Sequence, residues 1–418
     1  MSTKIAFISA RHAPFDIDSD IEVGAPLSHL AALGCKIDVF TCRREPQGSV
    51  VTEPHAGVRV IHVPVSGSDC ESETVLNEFA DFVVDFVGNE RQPYDVVHAQ
   101  GSASGWIGMQ LQQTLGLPLV AGIPSLAKTQ RALGDSAQAR RQKRLAIQKS
   151  LVARADVLVA QDQQAVDDLV TVCGAERDRV AQVPYGIDAE AFTPDVRASA
   201  RDVLHWPVRD FMVLHMVGGS LAGIEDMVRA IASLRRAFRV DARLCLAMPV
   251  SRFVSVVNGQ EVERLLALAA ELQVEDQVFV QPWQTQRELQ TLFSAADVYV
   301  AGPSGRAAAG VLRAMSCGLP VVAKSSDHAG RLVVEGETGY LVAADHPDAL
   351  AERMFALEQD PLRRFALGTA ARLLANERFA ATDVARRLMG VYARVAAAPA
   401  RRARASKQSN TVAINMAV

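Results

Sequence analysis

Short β-branched runs alternate with longer amphipathic stretches along almost the whole chain, and that alternation leaves few folds open. Residues 4–8, 37–41, 58–63, 96–98, 119–121, 157–160 and 180–183 have strand composition. Helical spacing at 74–87, 106–115, 140–153 and 163–172 separates several of them. Strands joined through helices must run parallel with right-handed crossovers, and both faces of such a sheet are covered. The chain therefore begins as a Rossmann-like α/β domain, assigned to residues 1–188. The pattern breaks at Tyr185-Gly186-Ile187-Asp188, and 189–209, rich in Asp, Pro and Ala, reads as a linker. Alternation then resumes. Strands are predicted at 211–216, 242–248, 278–280, 298–301 and 320–323, with helices at 224–236, 262–272, 286–295 and 310–317. These form a second Rossmann-like domain over 210–376.

After Pro347 the pattern turns helical, at 347–357, 361–374 and 382–396, and the first two helices open on a proline. The last helix is placed at 377–397. Residues 398–418, with Arg401, Arg402, Arg404 and Lys407 among small polar residues, are predicted to be a disordered, hydrated basic tail.

Composition narrows the function. A length of 418 residues suits two such domains. Forty-four Lys and Arg nearly cancel 47 Asp and Glu, and a net charge of -3 gives no field that would gather nucleic acid. The six cysteines are scattered, without a CxxC or histidines at ligand spacing, so neither a disulfide framework nor a structural metal is expected. No apolar run approaches the ~20 residues of a membrane helix, and the run at 5–10 is too short for a secretory core. The expected location is cytoplasmic, with no transmembrane segment.

Several strings carry a resemblance. They include Leu33-Gly34-Cys35-Lys36-Ile37-Asp38-Val39, Tyr94-Asp95-Val96-Val97-His98-Ala99-Gln100, Ser104-Gly105-Trp106 and Val183-Pro184-Tyr185-Gly186-Ile187-Asp188. The second half adds Ala314-Met315-Ser316-Cys317-Gly318-Leu319-Pro320-Val321-Val322-Ala323 and Glu335-Gly336-Glu337-Thr338-Gly339-Tyr340. Together these strings resemble the GT-B glycosyltransferases of group 1, or family 4, and within them the sucrose-phosphate-synthase-like branch. The resemblance implies two Rossmann-like parallel-sheet domains facing a cleft, with C-terminal helices. It puts the acceptor on the first domain and a nucleotide sugar on the second, and it implies no metal and no other cofactor.

The chemistry makes firm demands. A departing diphosphate needs cations and backbone N–H groups aimed at it. At the positions where the resembling family supplies them, this chain differs. The Gly-Gly turn expected early in the chain falls on Ile17-Asp18. In the loop after the first strand of the second domain, Gly219 and Ala222 replace the expected Arg and Lys. The paired glutamates fall on Gly305 and Arg313, and a guanidinium cannot accept a hydrogen bond from a ribose hydroxyl. On the acceptor side, Gln100 and Pro124 stand where histidines are expected.

Candidates that remain for phosphate or donor binding are Gly218, Gly219, Ser220, Ser304, Arg306, Ala309, Gly310 and Arg313. Arg306 lies within the small-residue stretch 302–310 that opens a helix, and could pair with a phosphate there. Ser125 and Lys128 are the acceptor-side candidates, and His98 and Gln100 are the catalytic ones. Beside a ligand sensor that closes its two domains on a nucleotide or sugar phosphate without turnover, two readings stay open. In one, the chain is a catalytically degenerate homologue that partners an active glycosyltransferase or another protein of glycan or polysaccharide synthesis. In the other, it is an atypical nucleotide-sugar-dependent hexosyltransferase with a rebuilt donor site. A nucleotide or sugar phosphate is a candidate ligand in either.

Overall fold

A computed structural model describes residues 2–10, 24–43, 49–67, 69, 71–123, 135–217, 223–250, 260–302, 307–325, 328–343 and 346–397. The chain divides into two compact units, one of Met1–Gly186 with Thr382–Val418 and one of Ile187–Ala381.

The first unit contains β1 (Lys4–Ile8), α1 (Ala25–Ala32), β2 (Lys36–Cys42), β3 (Val51–His55), β4 (Val58–Val63), α2 (Glu73–Asn89) and β5 (Val96–Gln100). It continues through α3 (Gly101–Leu115), β6 (Leu119–Gly122), α4 (Asp135–Arg154), β7 (Val157–Ala160), α5 (Gln163–Thr171) and β8 (Val180–Gln182). These strands form one sheet in the order β3-β4-β2-β1-β5-β6-β7-β8. All pairings are parallel except that of β3, which runs antiparallel to β4 on the sheet edge. β3 is not among the strands read from the alternation. Side chains of β1 and β5 split between two cores, as a strand buried on both faces requires: Ala6, Ile8, Val97 and Ala99 join one, Ile5, Phe7 and Val96 the other.

The second unit begins with α6 (Arg197–Leu204) and β9 (Phe211–Met216), followed by α7 (Ile224–Ser233), β10 (Ala242–Pro249), α8 (Gln260–Glu271), β11 (Val278–Trp283), α9 (Gln286–Ala295) and β12 (Val298–Val300). Then come α10 (Ala307–Ser316), β13 (Val321–Lys324), β14 (Gly339–Val342), α11 (Pro347–Gln359) and α12 (Pro361–Arg378). Its sheet has the order β11-β10-β9-β12-β13-β14 and is parallel throughout. Helix α6 falls inside the stretch read as linker. Arg201 of that helix is buried and donates to the Ala295 and Val208 carbonyls and to the Asp297 carboxylate at 2.6–2.9 Å. Asp297 in turn accepts from Met212 N at 2.8 Å, so one carboxylate joins α6 to the start of β9 and β12.

The last helix, α13 (Ala381–Ala397), packs on the first unit's sheet. Val384, Ala385, Leu388, Val391, Tyr392 and Val395 enter the core built on Ile5, Phe7, Ile37 and Val39. Their spacing of three and four residues is that of one helical face. The basic tail expected from 398 onward lies outside the described residues.

Candidate functional site

In open parallel sheets ligands bind beyond the carboxyl ends of the strands, where the strand order reverses. That point lies between β1 and β5 in the first unit and between β9 and β12 in the second.

In the first unit, β5 carries His98 and Gln100 toward this edge. His98 is 3% exposed, lies 4.6 Å from the Phe7 ring, and shares a 2.6 Å hydrogen bond between its Nδ1 and the Tyr392 hydroxyl. Burial lowers its pKa to about 3, so the imidazole is neutral at physiological pH. Its Nε2 is also buried and has no hydrogen-bond partner among the described residues. This ring fixes α13 to the sheet, and it offers no nitrogen to solvent. Gln100 ends the strand half-buried, its amide lying over Gly122, where a Cβ would come within 2.0 Å of Oε1. The first turn of α3 is tied back to the end of β1 by Ser104 Oγ, which accepts from Ala10 N at 3.1 Å. Gln161, just past β7, has a buried Oε1 with no partner among the described residues. Ser125 and Lys128 lie outside the described residues.

In the second unit, α10 leaves the edge after β12, and all ten of its residues are buried. Gly310 is there because the Tyr299 hydroxyl fills the space: a Cβ would fall 1.8 Å from it. Ala309 is buried beside it. Arg313, one turn on, is 0% exposed; its Nη1 donates to Met216 Sδ at 3.4 Å and its guanidinium lies 5.3 Å from the Phe192 ring centroid. The cation is therefore buried within the unit, beside Met216 and Phe192. Gly218, Gly219, Ser220, Ser304 and Arg306 lie outside the described residues.

Sequence reading passed over two features of this edge. His215, buried on β9, donates from Nδ1 to the Val300 carbonyl at 2.9 Å, and its ring occupies the space a Cβ on Gly302 would need. Burial lowers its pKa to about 4, only partly offset by that hydrogen bond. Lys324, at the end of β13, pairs with Asp226 in the first turn of α7 at 3.1 Å. Both line a small cavity of about 20 Å³, room for one water-sized molecule, together with Val300, Val322, Val342 and His346. Lys324 directly follows Val321-Val322-Ala323, so its place at a strand end was readable; Asp226, about a hundred residues away, was not. Among the described residues no group of three or more His, Cys, Asp and Glu side chains could hold a metal ion. No described helix is long and apolar enough to cross a membrane.

Known proteins bear on both halves of this frame. Residues 25–186 match the glycosyl transferase 4-like domain and residues 210–374 match the glycosyl transferases group 1 family. The D-inositol 3-phosphate glycosyltransferase of Xylanimonas cellulosilytica is 30% identical, the match covering 93% of this chain and 96% of that protein. A second protein so named, from Catenulispora acidiphila, is 33% identical over 87% of each chain. Among solved structures, sucrose-phosphate synthase from Thermosynechococcus elongatus superposes with a TM-score of 0.81 at 26% identity, over 94% of this chain and 99% of that one. Anabaena HepE in complex with UDP and glucose has the same fold at a TM-score of 0.72 and 18% identity, over 94% and 100% of the two chains. By sequence and by architecture, the chain belongs to the group 1, family 4-like glycosyltransferases of the GT-B fold.

Proposed function

We propose that this chain has kept the glycosyltransferase frame without sugar transfer, and that it acts in the cytoplasm as a non-catalytic partner of an active glycosyltransferase in glycan or polysaccharide synthesis. The observation that carries this reading is Arg313. At a position where the resemblance calls for an acceptor carboxylate, a guanidinium is packed against Met216 and Phe192 with no exposed surface. A guanidinium has donors only and cannot accept from a ribose hydroxyl as a carboxylate does. His98 supports the same reading from the first unit. A neutral imidazole already bonded to Tyr392 is poorly placed to act as a general base.

The alternative, an atypical hexosyltransferase with a rebuilt donor site, is favoured by one observation. Lys324 supplies a cation at the carboxyl edge of the second sheet, from a strand other than the one expected to provide it. Its charge is already balanced by Asp226 at 3.1 Å. The test is a transfer assay on the full chain with UDP-, GDP- and ADP-hexoses over sugar, inositol phosphate and water acceptors, read by mass spectrometry. The expected result is no product above a heat-treated control. Product that disappears in Lys324→Met would establish the rebuilt-site reading instead.

A further inference from the structure

The outward face of α12 is an uncharged stripe that the fold leaves open. Leu362, Phe365 and Leu373 are 83%, 74% and 64% exposed, and Ala366 and Thr369 between them are exposed as well. Large apolar side chains rarely stand in water as a contiguous set without a partner. The opposite face of the helix, with Leu367, Gly368, Ala371 and Ala375, is buried in the second unit, so the stripe is surplus to folding that unit.

Its spacing is specific. Leu362, Ala366, Thr369 and Leu373 follow one another at intervals of four, three and four residues, the repeat that keeps a seam in register between two packed helices. The two middle side chains are small, which lets a second helix come close. Arg372 and Glu377 flank the seam on opposite edges, and among the described residues neither has an ion-pair partner. In a parallel pair of helices, a residue on one edge meets the residue five positions further along on the opposite edge of the other helix. Arg372 and Glu377 stand five apart. A second copy therefore satisfies both charges twice over, and Phe365 falls against Ala370 of that copy. A lipid surface would leave Glu377 uncompensated, and an unrelated helix would need its own matching charge pattern.

We propose that α12 is a self-association surface, on which two copies of this chain pair in parallel about a two-fold axis, through the seam Leu362-Ala366-Thr369-Leu373 flanked by reciprocal Arg372–Glu377 ion pairs. The pairing is isologous and closes on itself, as a two-fold interface must. Sedimentation velocity of the full chain at tens of micromolar tests it. The expected mass is twice the 45.0 kDa of one chain. Leu373→Glu should give the single-chain mass with an unchanged far-UV circular dichroism spectrum, since in a single chain the side chain stands in water. R372E alone and E377R alone should each weaken association about tenfold, because each puts two like-charge contacts across the axis; combined, they should restore it. A single-chain mass at every concentration would overturn the proposal. So would a dimer indifferent to Leu373→Glu, or a double reversal no tighter than either single one.

Discussion

Two histidines show how position within a strand decides what a side chain can do. His98 and His215 are both buried in central strands with their pKa lowered, to about 3 and about 4, by removal from water. In the unfolded chain each titrates near 6.5. Below that value the unfolded state takes up protons that the folded state refuses, so stability is complete above about pH 6.5 and falls as the solution is acidified. Each histidine contributes about 1.4 kcal/mol per pH unit, or about 4 kcal/mol for the pair between pH 6.5 and 5. Urea denaturation at pH 7 and pH 5 is expected to show that loss, and His98→Phe to halve the difference. An equal loss in the variant would mean that His98 is solvated. The motif around His98 was plain in the sequence, but its role was not, because its partner Tyr392 lies 294 residues away. Arg313 hid for a related reason. Helical periodicity shows which residues share a face, and it does not show that every face of α10 is covered.

At the level of elements, the central strands and most helices could be read directly, because a strand buried on both faces needs an unbroken apolar run. The exceptions have physical causes. β3 consists of five exposed residues, Val51-Thr52-Glu53-Pro54-His55, and a proline is tolerated only because the strand lies on an edge. α6 has eight residues and lies between Pro194 and Pro207, so composition favoured a loop. What holds α6 is a tertiary contact, the buried Arg201–Asp297 pair at 2.6 Å. Arg201→Ala would leave Asp297 buried with less compensation and strip donors from the Ala295 and Val208 carbonyls. The expected loss is about 3–5 kcal/mol, measured as a shift in urea midpoint. A loss below ~1 kcal/mol would show the carboxylate to be satisfied by Arg197, Arg364 and Met212 N without Arg201.

For the whole molecule, two Rossmann-like units and a final helix folded onto the first sheet reproduce the frame of a sugar-transferring family. That frame was legible from the order of strands, helices and turn motifs. The candidate site was legible only as a set of replacements, since sequence gives residue identity but not what each side chain already touches. Gln100 over Gly122, Tyr299 against Gly310 and Arg313 against Phe192 are packing contacts of this kind. Loss of donor chemistry is the claim on which the functional reading depends, and calorimetric titration of the purified full chain with UDP-, GDP- and ADP-sugars tests it most directly. The expected result is no saturable heat with any of them at millimolar ligand. Saturable binding at micromolar concentration, lost in Lys324→Met, would contradict it.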